Sequence, residues 1–343
     1  MAKSNLWRFS ALFAGASLLL AACGASTDAT DTDEPNGASD ETGEVTESVQ
    51  IGITQIAEHP SLDAARDGFK DALLDAGYTE DTVSFDEQNA QGEMATATSI
   101  ASKFAADDVD LVLAIATPAA QATAQAIFDK PIVFTAVTEP EEAELVDSWD
   151  APGGNVTGTS DLNPVEEQIE LITEILPDAQ TVGVIYSSGE VNSEVQVELA
   201  REASEELGLE LKEVTVSAAA EVSQAAESIK DVDAIYVPTD NTVVDALESV
   251  IQVTEDEGIL LIVGEGDSVE RGGVATFGLN YYELGYQTGK MAARILLEGE
   301  DPAEMPVETQ EVMQLIVNEA AADRMGITLP DDFLDNADEL VTE

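Results

Sequence analysis

Short apolar runs alternate with longer amphipathic stretches from residue 49 almost to the end of the chain. The first set of runs predicts strands at 49–56, 82–88, 110–116, 131–137 and 155–161. After one helical stretch the pattern restarts and predicts strands at 181–188, 209–216, 232–238, 259–264, 274–280 and 313–318. Many runs are apolar at consecutive positions, as in strands buried on both faces of a parallel sheet. The pattern therefore predicts an α/β protein with two doubly wound parallel-sheet lobes.

Several of the intervening stretches carry helix signals. Residues 62–74 place their large apolar side chains on one face, and Gly77 is expected to stop this helix. Asn163 is expected to cap a helix that has Pro164 at its first position. Another helix is expected to open at Asn192 and Ser193 and to stop at Gly208.

The N-terminal residues have the pattern of an export signal. Lys3 and Arg8 precede an apolar run over 9–22, and Leu-Ala-Ala-Cys closes it at Cys23. A membrane span needs roughly 20 apolar residues, whereas the apolar part of a signal peptide has about 7 to 15. The ending resembles a bacterial lipobox, so we expect residues 1–22 to be a lipoprotein signal peptide and Cys23 to be lipidated. The alternative is an ordinary secretory signal with a cysteine at its cleavage site.

Charge excludes some functions. Residues 24–48 contain eight acids and no Lys or Arg, so residues 23–48 are expected to form a lipid-anchored acidic linker. The whole chain has 70 Asp and Glu against 13 Lys and Arg, a net charge of −57. Nucleic acid is therefore not an expected partner, since binding its phosphates requires basic residues. One hypothesis for this acidity is a saline habitat, and the alternative is an acidic proteome.

Candidate ligand-binding residues follow the predicted strands, because ligands of open α/β sheets gather at the carboxyl ends of the strands. These candidates are Gln55, His59, Thr117, Thr138, Ser160, Asp161, Ser188, Asn192, Asp240, Asn241 and Asp267. The acids among them could meet a ligand ammonium, and the helix after Thr117 could hold a carboxylate. Helix capping is the alternative role for each of them. These loops contain no Lys or Arg, which disfavours a strongly anionic ligand.

The sequence motifs of several common enzyme classes are absent or incomplete in this chain. His59 is the only histidine and Cys23 the only cysteine, which excludes a zinc site of paired histidines and an intramolecular disulfide. Residues 158–162 lack the last glycine of a nucleophile elbow. Residues 285–291 are one residue short of a phosphate-binding loop and are better interpreted as helix. The sequence predicts no catalytic residue, no metal and no cofactor.

Several segments together carry a family resemblance. They are EHP at 58–60, LDAA at 62–65, AIATPAAQ at 114–121, PGGNVTG at 152–158, GVIY at 183–186, YVPTDN at 236–241, DSVERG at 267–272 and YYELGYQTG at 281–289. In this order they resemble bacterial ABC transporter substrate-binding proteins, in the family that includes the tryptophan- and tyrosine-type binding lipoproteins. The resemblance covers about residues 49–320. Relatives usually have Gly-Asp-Thr-Asp-Ser where this chain has GEGDS at 264–268, which leaves the ligand open.

The resemblance implies a type I periplasmic-binding-protein fold with three crossovers between lobes, expected near Ser160, Asp267 and Met305. Lobe 1 would be 49–160 and 268–305, and lobe 2 would be 161–267 and 306–335. The implied protein is a monomer outside the cytoplasm, lipid-anchored to the cell membrane. It would close on a small zwitterion, most often an aromatic amino acid, and deliver it to an ABC permease with its ATPase.

The sequence also offers candidate residues for contacting the ammonium group and the ring of the ligand. Asp240 is expected to pair with the ligand ammonium. The ligand ring is expected to stack on one of the aromatic residues near strand ends, most of which could instead be core: Phe134, Tyr186, Tyr236, Tyr281 and Tyr282. Two other classes of protein remain open, a sensory receptor that signals to a membrane kinase and an exported hydrolase, because fold alone does not fix function.

Overall fold

The computed structural model describes residues 45–342. The predicted signal peptide, Cys23 and most of the predicted linker lie outside this range. All described helices and strands belong to one compact unit, Thr42–Glu343. Over the described residues, no helix combines the length and the apolar character that a membrane crossing requires.

The strands across residues 45–342 follow the predicted runs closely. They are β1 (Val49–Gln55), β2 (Val83–Asn89), β3 (Leu111–Ile115), β4 (Ile132–Thr135), β5 (Val156–Ser160), β6 (Thr181–Ser187), β7 (Glu210–Val216), β8 (Ala234–Val237), β9 (Leu260–Val263), β10 (Ala275–Gly278), β11 (Glu308–Thr309), β12 (Gln314–Asn318) and β13 (Glu339–Val341). The sequence did not predict β11 or β13.

The α-helices of the same range lie mostly between these strands. They are α1 (Pro60–Asp75), α2 (Met94–Ala106), α3 (Thr117–Ala126), α4 (Val165–Ile175), α5 (Val191–Leu207), α6 (Val222–Ser228), α7 (Asn241–Asp245), α8 (Leu247–Glu257), α9 (Gly266–Arg271), α10 (Tyr281–Ala293), α11 (Glu319–Arg324) and α12 (Asp331–Asp335). One turn of π-helix, Arg294–Glu298, extends α10.

The strands form two sheets, which confirms the predicted pair of α/β lobes. The first has the order β11-β5-β4-β3-β1-β2, and all its neighbouring strands are parallel. The second has the order β13-β12-β10-β9-β8-β6-β7, and only its β10–β12 pair is antiparallel. Strands such as β3 and β9 are buried along their whole length. Each sheet has its own hydrophobic core.

The chain passes between the lobes three times, and two of these passages differ from the predicted positions. They lie after β5, between β10 and α10, and between β11 and β12. The predicted boundary at 267/268 is wrong, because β10 pairs with β9 and β12 in the second sheet. The predicted boundary after Met305 is early, because Glu308 and Thr309 still pair with β5 in the first sheet.

Helix α10 belongs to the first lobe because it packs closely against α1. A β-carbon added at Gly285 would lie 1.8 Å from the backbone oxygen of Ala65, so only glycine allows this approach. Gly68 of α1 faces the backbone of α10 just as closely, and a β-carbon added there would lie 2.1 Å from the Tyr282 oxygen. The two glycines therefore allow the backbones of α1 and α10 to approach closely.

One predicted helix cap is wrong. The side chain of Asn163 does not cap α4; instead its Oδ1 accepts a hydrogen bond from the Leu279 N–H at 3.1 Å. Its Nδ2 donates to the backbone oxygen of Asp161 at 3.1 Å. Asn163 thus ties the first passage between the lobes to the second, and both lie beside the cavity described next.

Candidate functional site

A buried cavity lies where loops from the carboxyl ends of both sheets face each other. Its lining residues are His59, Leu62, Ala136, Thr138, Asp161, Asn192, Thr239, Asp240, Asn241, Val244, Glu265 and Tyr281. The first lobe supplies the loops after β1 and β4, and the second supplies those after β8 and β9. The free volume is only about 10 Å³, room for about one water molecule. Any larger molecule therefore needs the lobes to move apart.

The cavity brings together six of the eleven predicted ligand-binding residues. They are His59, Thr138, Asp161, Asn192, Asp240 and Asn241. The other five do not line it. Ser188 is exposed, and Asp267 lies in a separate surface depression beside Ala64 and Asn280.

The remaining three of the five are buried but do not line the cavity. Gln55 Nε2 donates to the Ala57 oxygen at 2.7 Å, and Ser160 Oγ donates to the Thr138 oxygen at 2.8 Å. Thr117 begins α3 instead of capping it, and its buried hydroxyl has no hydrogen-bond partner.

Asp161 connects the first passage between the lobes with the loop after β4 and with α10. It follows β5 at the first passage and is 4% exposed. Its Oδ1 accepts from Thr138 Oγ1 at 3.0 Å, and its Oδ2 accepts from the Tyr281 hydroxyl at 2.7 Å. Burial raises the pKa of this carboxyl above its ordinary value. Each oxygen has one protein donor, so both keep a free lone pair for another hydrogen bond.

Asp240, predicted to pair with the ligand ammonium, lines the cavity and also has three hydrogen-bond donors from its own lobe. Its Oδ2 accepts from Ser187 N at 2.5 Å and from Ser193 Oγ at 2.6 Å, and its Oδ1 accepts from Val243 N at 2.8 Å. Burial, and then the negative charge of Glu190, raises the pKa of Asp240 to about 7. With three donors from its own lobe, Asp240 caps α7 and fastens it to β6. This geometry favours the capping alternative over an ion pair with a ligand.

Glu190 supports the same region and was not among the predicted site residues. Its Oε2 accepts from Asn241 Nδ2 at 2.6 Å, and its Oε1 accepts from Thr242 Oγ1 at 2.7 Å. Asn192 Nδ2 also donates to Oε2, at 3.2 Å. Glu190 therefore holds the Asn192 and Asn241 side chains that line the cavity.

Glu265 is the third acid of the cavity wall and was also missed as a site residue. It is 2% exposed and follows β9. Ser61 Oγ donates to its Oε2, and Ser268 Oγ donates to its Oε1. Burial, and then the charge of Asp267, raises the pKa of Glu265 to about 7. No Lys or Arg is among the described residues that line the cavity, so acids dominate its charge.

Two polar side chains of the wall keep atoms without a protein partner. Asn241 lies beside the His59 ring, but neither ring nitrogen makes a well-aligned hydrogen bond, and Asn192 Oδ1 has no partner. Burial, and then the positive charge of Arg271, lowers the pKa of His59 to about 4, so the ring is neutral at pH 7. A neutral imidazole offers one donor and one acceptor. Buried polar atoms are nearly always paired, so these atoms indicate where a ligand would bind.

Only one of the predicted ring-stacking residues reaches the cavity, namely Tyr281. Phe134 and Tyr236 are core residues with no exposed surface. Tyr186 and Tyr282 lie at the surface, where their hydroxyls donate to Glu213 and Asp71. Leu62 and Val244 add apolar wall, one from each lobe.

Backbone conformation also marks this edge of the first sheet. Ala116 after β3 and Ala136 after β4 have φ of 76° and 56°, which is uncommon for a residue with a β-carbon. Such conformations concentrate at functional sites. The sequence carries no signal for them, because alanine does not favour positive φ.

Comparison with known protein families identifies the family to which this chain belongs. The family model of the ABC transporter substrate binding protein matches residues 50–341. The chain therefore belongs to this family, and it is a substrate-binding protein of an ABC transporter. The fold is that of type I periplasmic binding proteins, as the resemblance implied.

Individual relatives agree with this assignment. A tyrosine-binding protein of Clostridioides difficile is 44% identical over 271 residues, 78% of each chain. The crystal structure of an ABC domain in complex with L-Trp from Streptococcus pneumoniae is 36% identical, with a TM-score of 0.83. The ligand-free, open structure of a substrate binding protein with adhesive properties from Clostridium difficile is 42% identical, with a TM-score of 0.65. Both comparisons cover 86% of this chain and 100% of the other.

The two TM-scores differ although both comparisons cover the same share of this chain. The open structure has the higher sequence identity but the lower structural similarity to this chain. A rigid-body rotation of two lobes produces this result, because it changes the overall superposition without changing either lobe. Overall, the structure here is therefore more similar to the L-Trp complex than to the open structure.

Proposed function

We propose that this protein captures an aromatic amino acid in the cavity between its lobes and delivers it to a membrane permease with its ATPase. The observation that carries the proposal is the combination of buried acids with unpartnered atoms of His59 and Asn192 in one cavity wall. The names of the tyrosine-binding relative and of the L-Trp complex support the same class of ligand.

Asp161 is the residue that we propose for the ligand ammonium. It is buried, it faces the cavity, and each of its oxygens still has acceptor capacity. Asp240 has less capacity because three protein donors already occupy it. An ammonium beside Asp161 would favour the ionised carboxylate and so reverse the effect of burial on its pKa.

The other end of the ligand would lie near His59 and the first turn of α1. His59 precedes α1, and Leu62 of this turn lines the cavity. The free N–H groups of a helix N-terminus favour a carboxylate, and the neutral His59 ring adds one donor. Asn192 Oδ1 offers an acceptor from the opposite lobe. For the ring, Tyr281, Leu62 and Val244 provide the apolar contacts.

Capture would require the lobes to open and then close. The cavity admits no amino acid as it stands, and three chain passages connect the lobes. We place the lobes at about 49–160 with 281–309, and 161–280 with 310–342. A hinge at these passages would turn both lobes as rigid bodies, since each has its own core.

We also propose the location that the N-terminal sequence implies. Residues 1–22 would direct export, and lipid on Cys23 would anchor the protein outside the cytoplasm with residues 23–48 as an acidic linker. Two acyl chains anchor a protein stably, whereas one binds only marginally. Replacing Cys23 with alanine should block processing or release the protein to the medium. Membrane retention of a processed Cys23→Ala variant would contradict the anchor.

A thermal-shift screen of the unit Thr42–Glu343 tests the ligand class. Each of the twenty amino acids and several sugars would be added separately to the purified protein. Ligand at 100 times its dissociation constant stabilises a folded protein by about 2.7 kcal/mol. We expect a rise of a few degrees in melting temperature with tyrosine, tryptophan or phenylalanine. A shift with a sugar or a branched aliphatic amino acid, and none with these three, would refute the aromatic ligand.

A further inference from the structure

A buried hydrogen bond from the first turn of α1 connects the first lobe to the second beside the cavity. The Ser61 hydroxyl donates to Glu265 Oε2. Ser61 lies in the first turn of α1, a helix of the first lobe, whereas Glu265 follows β9 of the second sheet. Ser61 is fully buried and Glu265 is 2% exposed. This bond can form only when the lobes lie together.

The second oxygen of Glu265 is held within its own lobe. The Ser268 hydroxyl, from α9, donates to Oε1. The carboxylate is therefore fixed on the second lobe by Ser268 and presents its other oxygen to Ser61. Serine at both positions gives two similar hydroxyl donors, of which only one crosses between the lobes.

The N-terminus of α1 also stabilises the contact between Ser61 and Glu265. Helix α1 has 16 residues, and the partial positive charge at its N-terminus favours a nearby carboxylate. When the lobes separate, both the hydroxyl and the carboxylate exchange this contact for water. An intramolecular hydrogen bond is modestly more favourable than the hydrogen bonds to water that it replaces, so forming this bond on closure favours the closed arrangement.

We propose that Ser61 and Glu265, named here the cross-lobe pair, set the equilibrium between open and closed lobes and so position the site for ligand capture. In this role the two residues affect binding by shifting the equilibrium between open and closed lobes, and not by contacting the ligand. The inference builds on the proposed function, in which capture needs closure. The apparent dissociation constant is the intrinsic one divided by the fraction of competent protein, so weakening the pair weakens binding.

The test uses spin labels on the unit Thr42–Glu343, which contains no cysteine. Cysteines would replace the exposed Ser102 of α2 and Ser223 of α6, one on each lobe. The distance between the labels is measured without ligand in the parent protein, in Ser61→Ala and in the matched control Ser268→Ala. We expect Ser61→Ala to raise the open-to-closed ratio about tenfold, equivalent to about 1.4 kcal/mol. Ser268→Ala should change it less, because its hydroxyl does not cross between the lobes.

Affinity and a second variant complete the test. Ser61→Ala should bind L-tyrosine or L-tryptophan more weakly, by up to about tenfold, with unfolding that stays cooperative. Glu265→Ala, which removes the acceptor of the Ser61 hydrogen bond, should also shift the distances toward the open form. Unchanged distances in both Ser61→Ala and Glu265→Ala would overturn the inference. If the parent protein binds neither amino acid, the proposed ligand fails, but the ligand-free distances still decide the role of the pair.

Discussion

Replacing Asp240 with alanine separates a structural role for this residue from a role in ligand binding. The carboxylate accepts hydrogen bonds from the N–H groups of Ser187 and Val243 and from the Ser193 hydroxyl. These donors come from β6, α7 and α5 of the second lobe. Alanine removes the common acceptor, and the buried donors have no replacement.

The expected loss of stability follows from these donors. The Ser193 hydroxyl can rotate toward another acceptor, but the two N–H groups cannot. A buried donor left unpaired costs about 1–3 kcal/mol, so the two together cost about 2–6 kcal/mol. The substitution also removes a buried carboxyl whose desolvation is unfavourable, as its raised pKa of about 7 indicates. We therefore expect a net loss of about 2–4 kcal/mol in the free energy of unfolding.

Chemical denaturation of the ligand-free unit Thr42–Glu343 measures this loss. Asp245→Ala is the matched control, because Asp245 ends the same helix but is exposed. The control should stay within about 0.5 kcal/mol of the parent. If Asp240→Ala also stays within about 0.5 kcal/mol while amino-acid binding is lost, the capping role is wrong and Asp240 contacts the ligand.

Three further predictions concern other positions. Asp161→Asn should weaken amino-acid binding at least tenfold in calorimetric titrations, which corresponds to about 1.4 kcal/mol. The melting temperature of the ligand-free variant should be nearly unchanged. Equal affinities of the variant and the parent would exclude the proposed ammonium contact. The pKa of Glu265 rises from 4.5 to about 7 on folding, so its stabilising contribution is greatest below about pH 4.5 and is lost as the pH rises through 7. Glu265→Gln should therefore gain stability relative to the parent over this range, and parallel pH profiles would contradict the shift. Gly285→Ala should destabilise the protein by about 1–3 kcal/mol, since its β-carbon would meet Ala65, whereas Gly154→Ala, with no neighbour within 4 Å, should not.

Local patterns in the sequence were sufficient to predict most of the fold. Strands such as β3 and β9 are continuous apolar runs, and the order of runs and helices fixed two α/β lobes. The passages between lobes were harder to place, because β10 is an apolar strand like its neighbours and the sequence does not say which sheet it joins. The two-residue β11 is too short to leave a pattern.

Only part of the site was predicted, because local sequence patterns identify strand ends but not long-range contacts. The rule that ligands gather after strands identified Asp161, His59 and Asn192, because it depends only on strand ends. It chose Asp267 over Glu265, although α9 begins at Gly266 and only Glu265 faces the cavity. Glu190 was missed because its partners Asn241 and Thr242 lie about fifty residues further along the chain. Such long-range hydrogen bonds have no local signal.

Calorimetric titration of the unit Thr42–Glu343 with L-tryptophan and with indole-3-propionate tests the central claim most directly. The two compounds share the ring and the carboxylate, and only the amino acid carries the ammonium that we assign to Asp161. Loss of one partner of a buried charge pair costs about 2–5 kcal/mol, so indole-3-propionate should bind at least roughly thirtyfold more weakly. Equal binding of the two compounds, or binding of neither alongside binding of a sugar, would contradict the capture of an aromatic amino acid by the acidic cavity.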